Sequence, residues 1–156
     1  MTPRRVASSE DMTPILELLH RAFASMEGRI DPPSSLHRLT AEGIAEQSHT
    51  GEVWVIDHKA CVFLTPKPDY TPPALYLGKL AVDPVAQGQG LGRQLVKLAE
   101  ERAHALSFGR LILQTRVELV ENHAMFSKLG FRKIAESSHD GYDRITDFTF
   151  AKDLVV

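Results

Sequence analysis

The chain holds a single cysteine, Cys61, in 156 residues. No internal disulfide can form, so stability must come from packing, and this usage fits a reducing compartment. A cytoplasmic protein is the expectation. No apolar run approaches the ~20 residues that span a bilayer, and residues 1–12 lack the apolar stretch of a secretory leader. Charge of neither sign dominates: 18 Lys+Arg against 20 Asp+Glu give −2, with a pI near 6.4. That composition offers no footprint for nucleic acid or an anionic membrane, and neither is expected as a partner. Aromatic residues make up only 7%, and the one tryptophan, Trp54, lies in a β-rich run where it reads as packing. The seven histidines show no metal spacing, with no His-Glu-x-x-His and no cysteine pair, so no metal is expected. Repeats, low-complexity tracts and linkers are missing as well. What is present, 43% hydrophobic and 24% charged residues, is ordinary for a globular domain with a real core. Residues 1–156 are therefore expected to form one domain.

Periodicity supplies the elements. Arg4 to Ala7 reads as a short strand, with Ser8, Ser9 and Asp11 as helix-cap candidates. Ile15, Leu18, Leu19, Ala22 and Phe23 recur at helical spacing over residues 11–25. After the break at Asp31-Pro32-Pro33, the positions of Leu36, Leu39, Ile44 and Ala45 predict a second helix to about His49. Residues 52–57 and 60–64 form a predicted hairpin around His58-Lys59. Pro66, Pro68, Pro72 and Pro73 exclude regular structure between them. A strand over 75–82, a helix over 91–106, a strand over 111–117 and a short helix over 121–129 follow. Gly130 is a good cap for that last helix, and strands over 131–135 and 147–151 complete the chain. The order β-α-α-β-β-β-α-β-α-β-β predicts an α/β protein with a mixed sheet of about six or seven strands and about four helices on its two faces.

Gln87-Gly88-Gln89-Gly90-Leu91-Gly92-Arg93 is the most informative stretch. It follows Leu80-Ala81-Val82 and an Asp83-Pro84 turn, and it opens straight into a helix. Glycines let the chain curl and let a ligand approach, and the first amides of a helix are unpaired and favour an anion. A pyrophosphate-binding loop is the reading. It is not a Walker A loop, because Arg93-Gln94 stands where Lys-Ser/Thr is needed. Nor is it a dinucleotide fingerprint, because only one residue separates Gly90 from Gly92.

The remaining pattern, Gln87-x-x-Gly90-x-Gly92 after a strand and a proline turn, resembles the acetyl-CoA loop of the GNAT superfamily of N-acetyltransferases. Leu80 to Pro84 is similar to that family's fourth strand. Phe126-Ser127-Lys128-Leu129-Gly130-Phe131 is similar to its Tyr-x-Lys-x-Gly-Phe segment. The motif-level resemblance covers about residues 75–134. It implies an acyl-CoA N-acyltransferase fold, acetyl-CoA as cosubstrate in a cleft where strands four and five splay apart, and direct attack by an amine. It further implies that amides from Gln87 to Gly92, Gln89 included, hold the pyrophosphate, with Arg93 either adding a charge contact or standing solvated. Leu80 and Val82 would bond the pantetheine amides, and a backbone N–H near Ala81 or Val82 would face the thioester oxygen. The acceptor would be a small-molecule amine or a protein or peptide amine, with residues 20–40 forming much of its wall. By analogy a homodimer is open, though no exposed apolar stripe marks its interface.

The chain departs from the family where chemistry is done. Counting back from Phe131 places Gln114 at the usual glutamate base, Leu119 at the usual cofactor-contacting asparagine and Phe126 at the usual tyrosine acid. Asn122, one helical turn on, is either a replacement for that asparagine or a helix cap. Glu118, His123 and Tyr142 are the nominated catalysts, the first two near the start of the short helix and Tyr142 between the last two strands. The rival expectation is an acyl-CoA-binding or regulatory module with weak or no turnover.

Overall fold

The computed structural model describes residues 2–154; Met1, Val155 and Val156 lie outside the described residues. Seven strands and four α-helices follow in order: β1 (Arg4–Arg5), α1 (Thr13–Phe23), α2 (Ala41–Thr50), β2 (Glu52–Ile56), β3 (Ala60–Lys67), β4 (Ala74–Val82), α3 (Leu91–Ala105), β5 (Arg110–Arg116), α4 (Val120–Lys128), β6 (Arg132–Ser137) and β7 (Asp147–Asp153). The strands form one sheet in the order β1-β2-β3-β4-β5-β7-β6, antiparallel everywhere except between β4 and β5. The expected element order and mixed sheet are both present.

Successive side chains of a strand point to opposite faces, and the two faces bury separate cores. Val53, Val55, Cys61 and Phe63 pack under α1 and α2, against Leu18, Leu19 and Ile44. Ile56, Val62 and Leu64 face the other way, under Leu91, Leu95 and Val96 of α3 and Phe126 of α4. Burying each such side chain contributes about 1.5–3 kcal/mol before entropy is counted. Glu52, buried at the start of β2, accepts two 2.8 Å hydrogen bonds from Arg102 and one from Trp54 Nε1, tying α3 to that edge of the sheet.

Two expectations are corrected. The second helix does not start at Leu36. Ser35–Arg38 is a single 3₁₀ turn, Leu39 is extended, and α2 begins only after Thr40, whose hydroxyl accepts from the Gly43 amide at 3.0 Å. A Thr cap satisfies an otherwise orphaned amide and so fixes the helix start better than apolar spacing does. Regular structure also continues through Pro66, because β3 runs to Lys67. Its last partner on β2 is Leu64 opposite Glu52, so Pro66 sits where the strand has outrun one neighbour and a missing N–H is tolerated. At the start of α1, Asp11 rather than Ser8 or Ser9 meets an amide, accepting from Thr13 at 3.0 Å.

The sheet is incomplete at its centre. β4 and β5 pair only at Leu75–Leu111 and Tyr76–Ile112. Beyond them β4 slips register against β3, with Phe63 opposite Gly78 but Cys61 opposite Ala81, and Lys79 takes a left-handed φ of +52°. An extra residue of this kind bends a strand and increases its twist. The end of β4 thus leaves β5, and a gap opens between them.

Candidate active site

The gap becomes two joined cavities. The larger, about 830 Å³, lies between the glycine loop, the end of β4, the end of α1 and the outer face of α4. The smaller, about 450 Å³, lies deeper along β4 and β5, under residues 32–38. Phe23, Met26, Leu80, Leu119, Asn122 and Phe126 line both.

The loop is built by its glycines and by Asp83. Gly88 and Gly90 stand at φ +86° and +77°, where only glycine is unstrained, and a Cβ on either would meet no atom within 4 Å. Asp83 caps the 3₁₀ turn Pro84–Ala86 by accepting from Val85 N at 3.1 Å, and its other oxygen accepts from Arg21 Nε at 3.0 Å. The Val85 amide and then Arg21 hold the Asp83 carboxyl below its usual range, so it stays ionised and locks α1 to the loop. From Gln87 on, the first amide to reach a backbone carbonyl is that of Gln94, which donates to Gly90. Among the described residues the amides of Gln87 to Arg93 meet no backbone carbonyl, which leaves them open to a ligand at a helix N-terminus. On β4, the Asp83 amide donates to Lys59 on the β3 side at 2.7 Å. Alternation turns the backbone groups of Val82 and Leu80 the other way, into the gap.

The structure brings most of the expected cofactor set together. Leu80, Ala81, Val82, Gln87, Gly88 and Gly90 line the larger cavity, as do Leu91, Gly92, Arg93, Asn122 and Phe126; Gln89 does not. Phe126 is buried and packs edge-on to Phe131, ring centroids 5.7 Å apart, as an apolar wedge between the two cavities.

The three nominated catalysts line neither cavity. Tyr142 donates its phenol to Asp31 Oδ1 at 2.8 Å, and that bond raises its pKa. Glu118 Oε2 accepts from the Asp31 amide at 3.2 Å. Arg144 donates to the Asp31 carbonyl, Arg116 donates to the carbonyls of Pro32 and Pro33, and Arg29 pairs with Glu121 at 2.8 Å. These bonds make residues 29–33 a strap clamped over the smaller cavity. His123 Nε2 donates to the Arg116 carbonyl at 2.9 Å, with the ring against Phe148 and Phe150. Of the expected acceptor wall, Phe23, Met26, Pro32, Pro33, Ser34 and Ser35 line the smaller cavity, while His20, Glu27, Arg29 and Asp31 do not.

What sequence reasoning missed is the partnership of His139 with Asp147. His139 and Asp147 line the smaller cavity. His139 Nδ1 lies 2.7 Å from Asp147 Oδ2 and 2.7 Å from Thr146 Oγ1, and Thr146 in turn donates to the same Asp147 oxygen. An acceptor-only carboxylate at that distance takes a hydrogen bond from Nδ1–H, so in the neutral ring Nε2 is the nitrogen that carries the lone pair. Nε2 makes no hydrogen bond among the described residues. His139 follows the end of β6 and Asp147 opens β7, so the pairing of Ser137 with Asp147 brings the dyad together at the gap. Tyr76, also lining this cavity, has its phenol pushed up by burial and so stays protonated. Cys61 is fully buried, and burial pushes its thiol up to about 12, so it supplies no thiolate for a covalent acyl intermediate. Among the described residues no cluster of His, Cys, Asp or Glu is arranged to hold a metal, and no helix is long and apolar enough to cross a membrane.

A family model for the acetyltransferase (GNAT) family matches residues 14–131. No curated protein matches the sequence. Several solved structures share the fold. A GNAT family acetyltransferase from Elizabethkingia anophelis, with acetyl-CoA bound, has a TM-score of 0.71 at 20% identity over 98% of this chain and 97% of its own. The PaiA N-acetyltransferase from Thermoplasma acidophilum, in complex with coenzyme A, has a TM-score of 0.74 at 15% identity over 97% of both chains. An acetyltransferase from Streptococcus agalactiae reaches 0.72 at 20% identity over 99% of both.

Proposed function

Because the chain belongs to the acetyltransferase (GNAT) family, we propose that it transfers an acetyl group from acetyl-CoA to an amine by direct attack, with residues 1–156 acting as one catalytic domain. The carrying observation is the pair of joined cavities at the β4–β5 gap, one walled by unpaired amides and the other holding a histidine with a free nitrogen. The larger cavity suits coenzyme A. Its open glycines and unpaired amides match a pyrophosphate, Arg93 adds a cation, and the Leu80 and Val82 backbones match amides in an extended arm. When bound, acetyl-CoA supplies an acyl carbon activated as a thioester.

The protein's own part is positioning and proton transfer. Phe126, Leu119 and Phe23 keep water from the junction of the cavities. The amine enters the smaller cavity, and His139 Nε2 takes its proton while Asp147 steadies the ring. The nitrogen–carbon bond forms as the carbon–sulfur bond breaks, and the second proton, shed by the attacking nitrogen as it becomes an amide, passes through water to the departing coenzyme A thiolate. A free amine with pKa ~10.4 is mostly charged at pH 7, so a base is the main requirement, whereas a thiol pKa near ~8.5 makes a dedicated acid dispensable. Phe126 at the acid position is consistent with that order. The protein acts away from membranes and nucleic acid, in the cytoplasm, on a small-molecule or peptide amine.

The test is thiol release from acetyl-CoA with a panel of amines, beside a melting scan with acetyl-CoA, NAD and ATP. Acetyl-CoA at a hundredfold its Kd adds about 2.7 kcal/mol of stability. The expected result is a shift with acetyl-CoA alone and amine-dependent thiol release. Coenzyme A binding with no amine ever acetylated leaves only a binding module.

A further inference from the structure

The smaller cavity is unbalanced in charge. Three cations, Arg38, Lys79 and Arg116, line it, against one carboxylate, Asp147. Asp147 is already engaged: it pairs with Arg116 Nε at 3.6 Å and holds His139 and Thr146. That leaves Lys79 and Arg38. Lys79 is half-buried, and its ammonium donates to a neutral partner, Ser35 Oγ, at 2.9 Å. Neither Lys79 nor Arg38 meets a carboxylate among the described residues. Burial, then Arg116 and Arg38, push the Lys79 pKa down, which is the sign of a cation held without a counter-charge.

The backbone tells the same story independently. Lys79 is the residue at φ +52° where β4 bulges. A side chain there is strained relative to glycine, and observed strain of this sort clusters at ligand sites. Gly78 precedes it, so glycine would have been an easy alternative at the bulge. Thr115, whose buried Oγ1 has no hydrogen-bond partner among the described residues, lines the same cavity.

We infer that the acceptor is an amine that also carries an anionic group, of the amino-acid type, with its carboxylate held by Lys79 and Arg38 while its amine faces His139. This inference rests on the transfer reading above and names the substrate class of the same site. A neutral or cationic amine of the same shape would leave the two cations unmatched, so the selectivity comes from a penalty as much as from an attraction.

The experiment compares matched pairs, each α-amino acid against its own amide, in the thiol-release assay with wild type, Lys79→Met and Arg38→Met. Methionine keeps the apolar stem and bears the same backbone strain as lysine, and the acetyl-CoA melting shift reports that each variant is folded. Wild type is expected to favour the acid of a productive pair about ten- to hundredfold in kcat/KM, the worth of one or two charge-assisted bonds. In Lys79→Met the ratio should fall toward one. Equal rates on acid and amide in wild type, or an equal loss on both in Lys79→Met, overturns the inference. If no amine of either kind releases thiol, the transfer reading fails. The anion site is then read by titrating N-acetyl amino acids against their amides in the presence of coenzyme A, where preference for the acids supports it and indifference refutes it.

Discussion

Gly90→Ala separates what the glycine loop does for the fold from what it does for a ligand. Gly90 stands at φ +77° at the N-terminus of α3, and a Cβ there meets nothing within 4 Å. The methyl therefore adds strain without collision, roughly 1–2 kcal/mol. For a chain of this size 1 kcal/mol shifts Tm by about 2–4 °C, so a loss of about 2–8 °C is expected. Gly141, at φ +83° and equally open, lies outside both cavities, and Gly141→Ala should show a similar loss. The two variants part at the ligand. Relaxing Gly90 from its left-handed turn re-aims the amides beside it, and one lost bond to a phosphate costs about 1.5–3 kcal/mol, or about ten- to a hundredfold in Kd. Calorimetric titration should find that loss for coenzyme A in Gly90→Ala and none in Gly141→Ala. Pantetheine, which lacks the pyrophosphate, should bind wild type and Gly90→Ala alike. Unchanged coenzyme A affinity in Gly90→Ala, or an equal loss with pantetheine, refutes the assignment of the loop to the pyrophosphate.

His139→Gln should lower kcat about 10²- to 10⁴-fold, the usual worth of a general base, with coenzyme A affinity unchanged by titration; Asp147→Asn should lower it less and shift the pH–rate profile. Tyr142→Phe removes one bond that holds the strap, so a steady-state assay should show acceptor KM raised about two- to tenfold and kcat nearly intact; an equal fall in kcat would return Tyr142 to the chemistry. Burial alone would raise the Glu52 carboxyl, yet hydrogen bonds from Arg102 and Trp54 bring it below its ordinary 4.5. A carboxyl lowered by folding stabilises above that ordinary value and loses its contribution as pH falls through the folded one. Chemical denaturation should therefore show stability dropping below about pH 4.5, and Glu52→Gln should remove part of that dependence while costing about 3 kcal/mol at pH 7.

The parts of the site governed by local chemistry were legible in the sequence. Gly88 and Gly90 take positive φ because their turn requires it, and Gly130 takes φ +94° just past α4, as a cap residue should. The order of elements, with hairpins and crossovers mixed, was enough to place helices on both faces of one sheet. What escaped detection depends on distant pairing. Glu118 and Tyr142 both looked catalytic because each is polar and near the cleft in sequence order, yet both converge on Asp31, which no spacing announces. His139 and Asp147 meet because β6 lies against β7, and the charge on Lys79 matters only because Arg38 and Arg116 arrive from elsewhere. Ion pairs and hydrogen bonds between segments a hundred residues apart leave no periodic trace.

The two residue pairs joining β4 to β5 give the sheet an unusual mechanical character. β1 to β4 on one side and β5 to β7 on the other are panels sharing a seam at one end only, and the backbone groups of Leu80 and Val82 face the open part of that seam. An extended ligand with amides of its own would lie there as an extra, non-peptide strand and complete the ladder. The sheet is thus finished by the molecule it receives, and hydrogen exchange along the end of β4 should slow when that seam is filled.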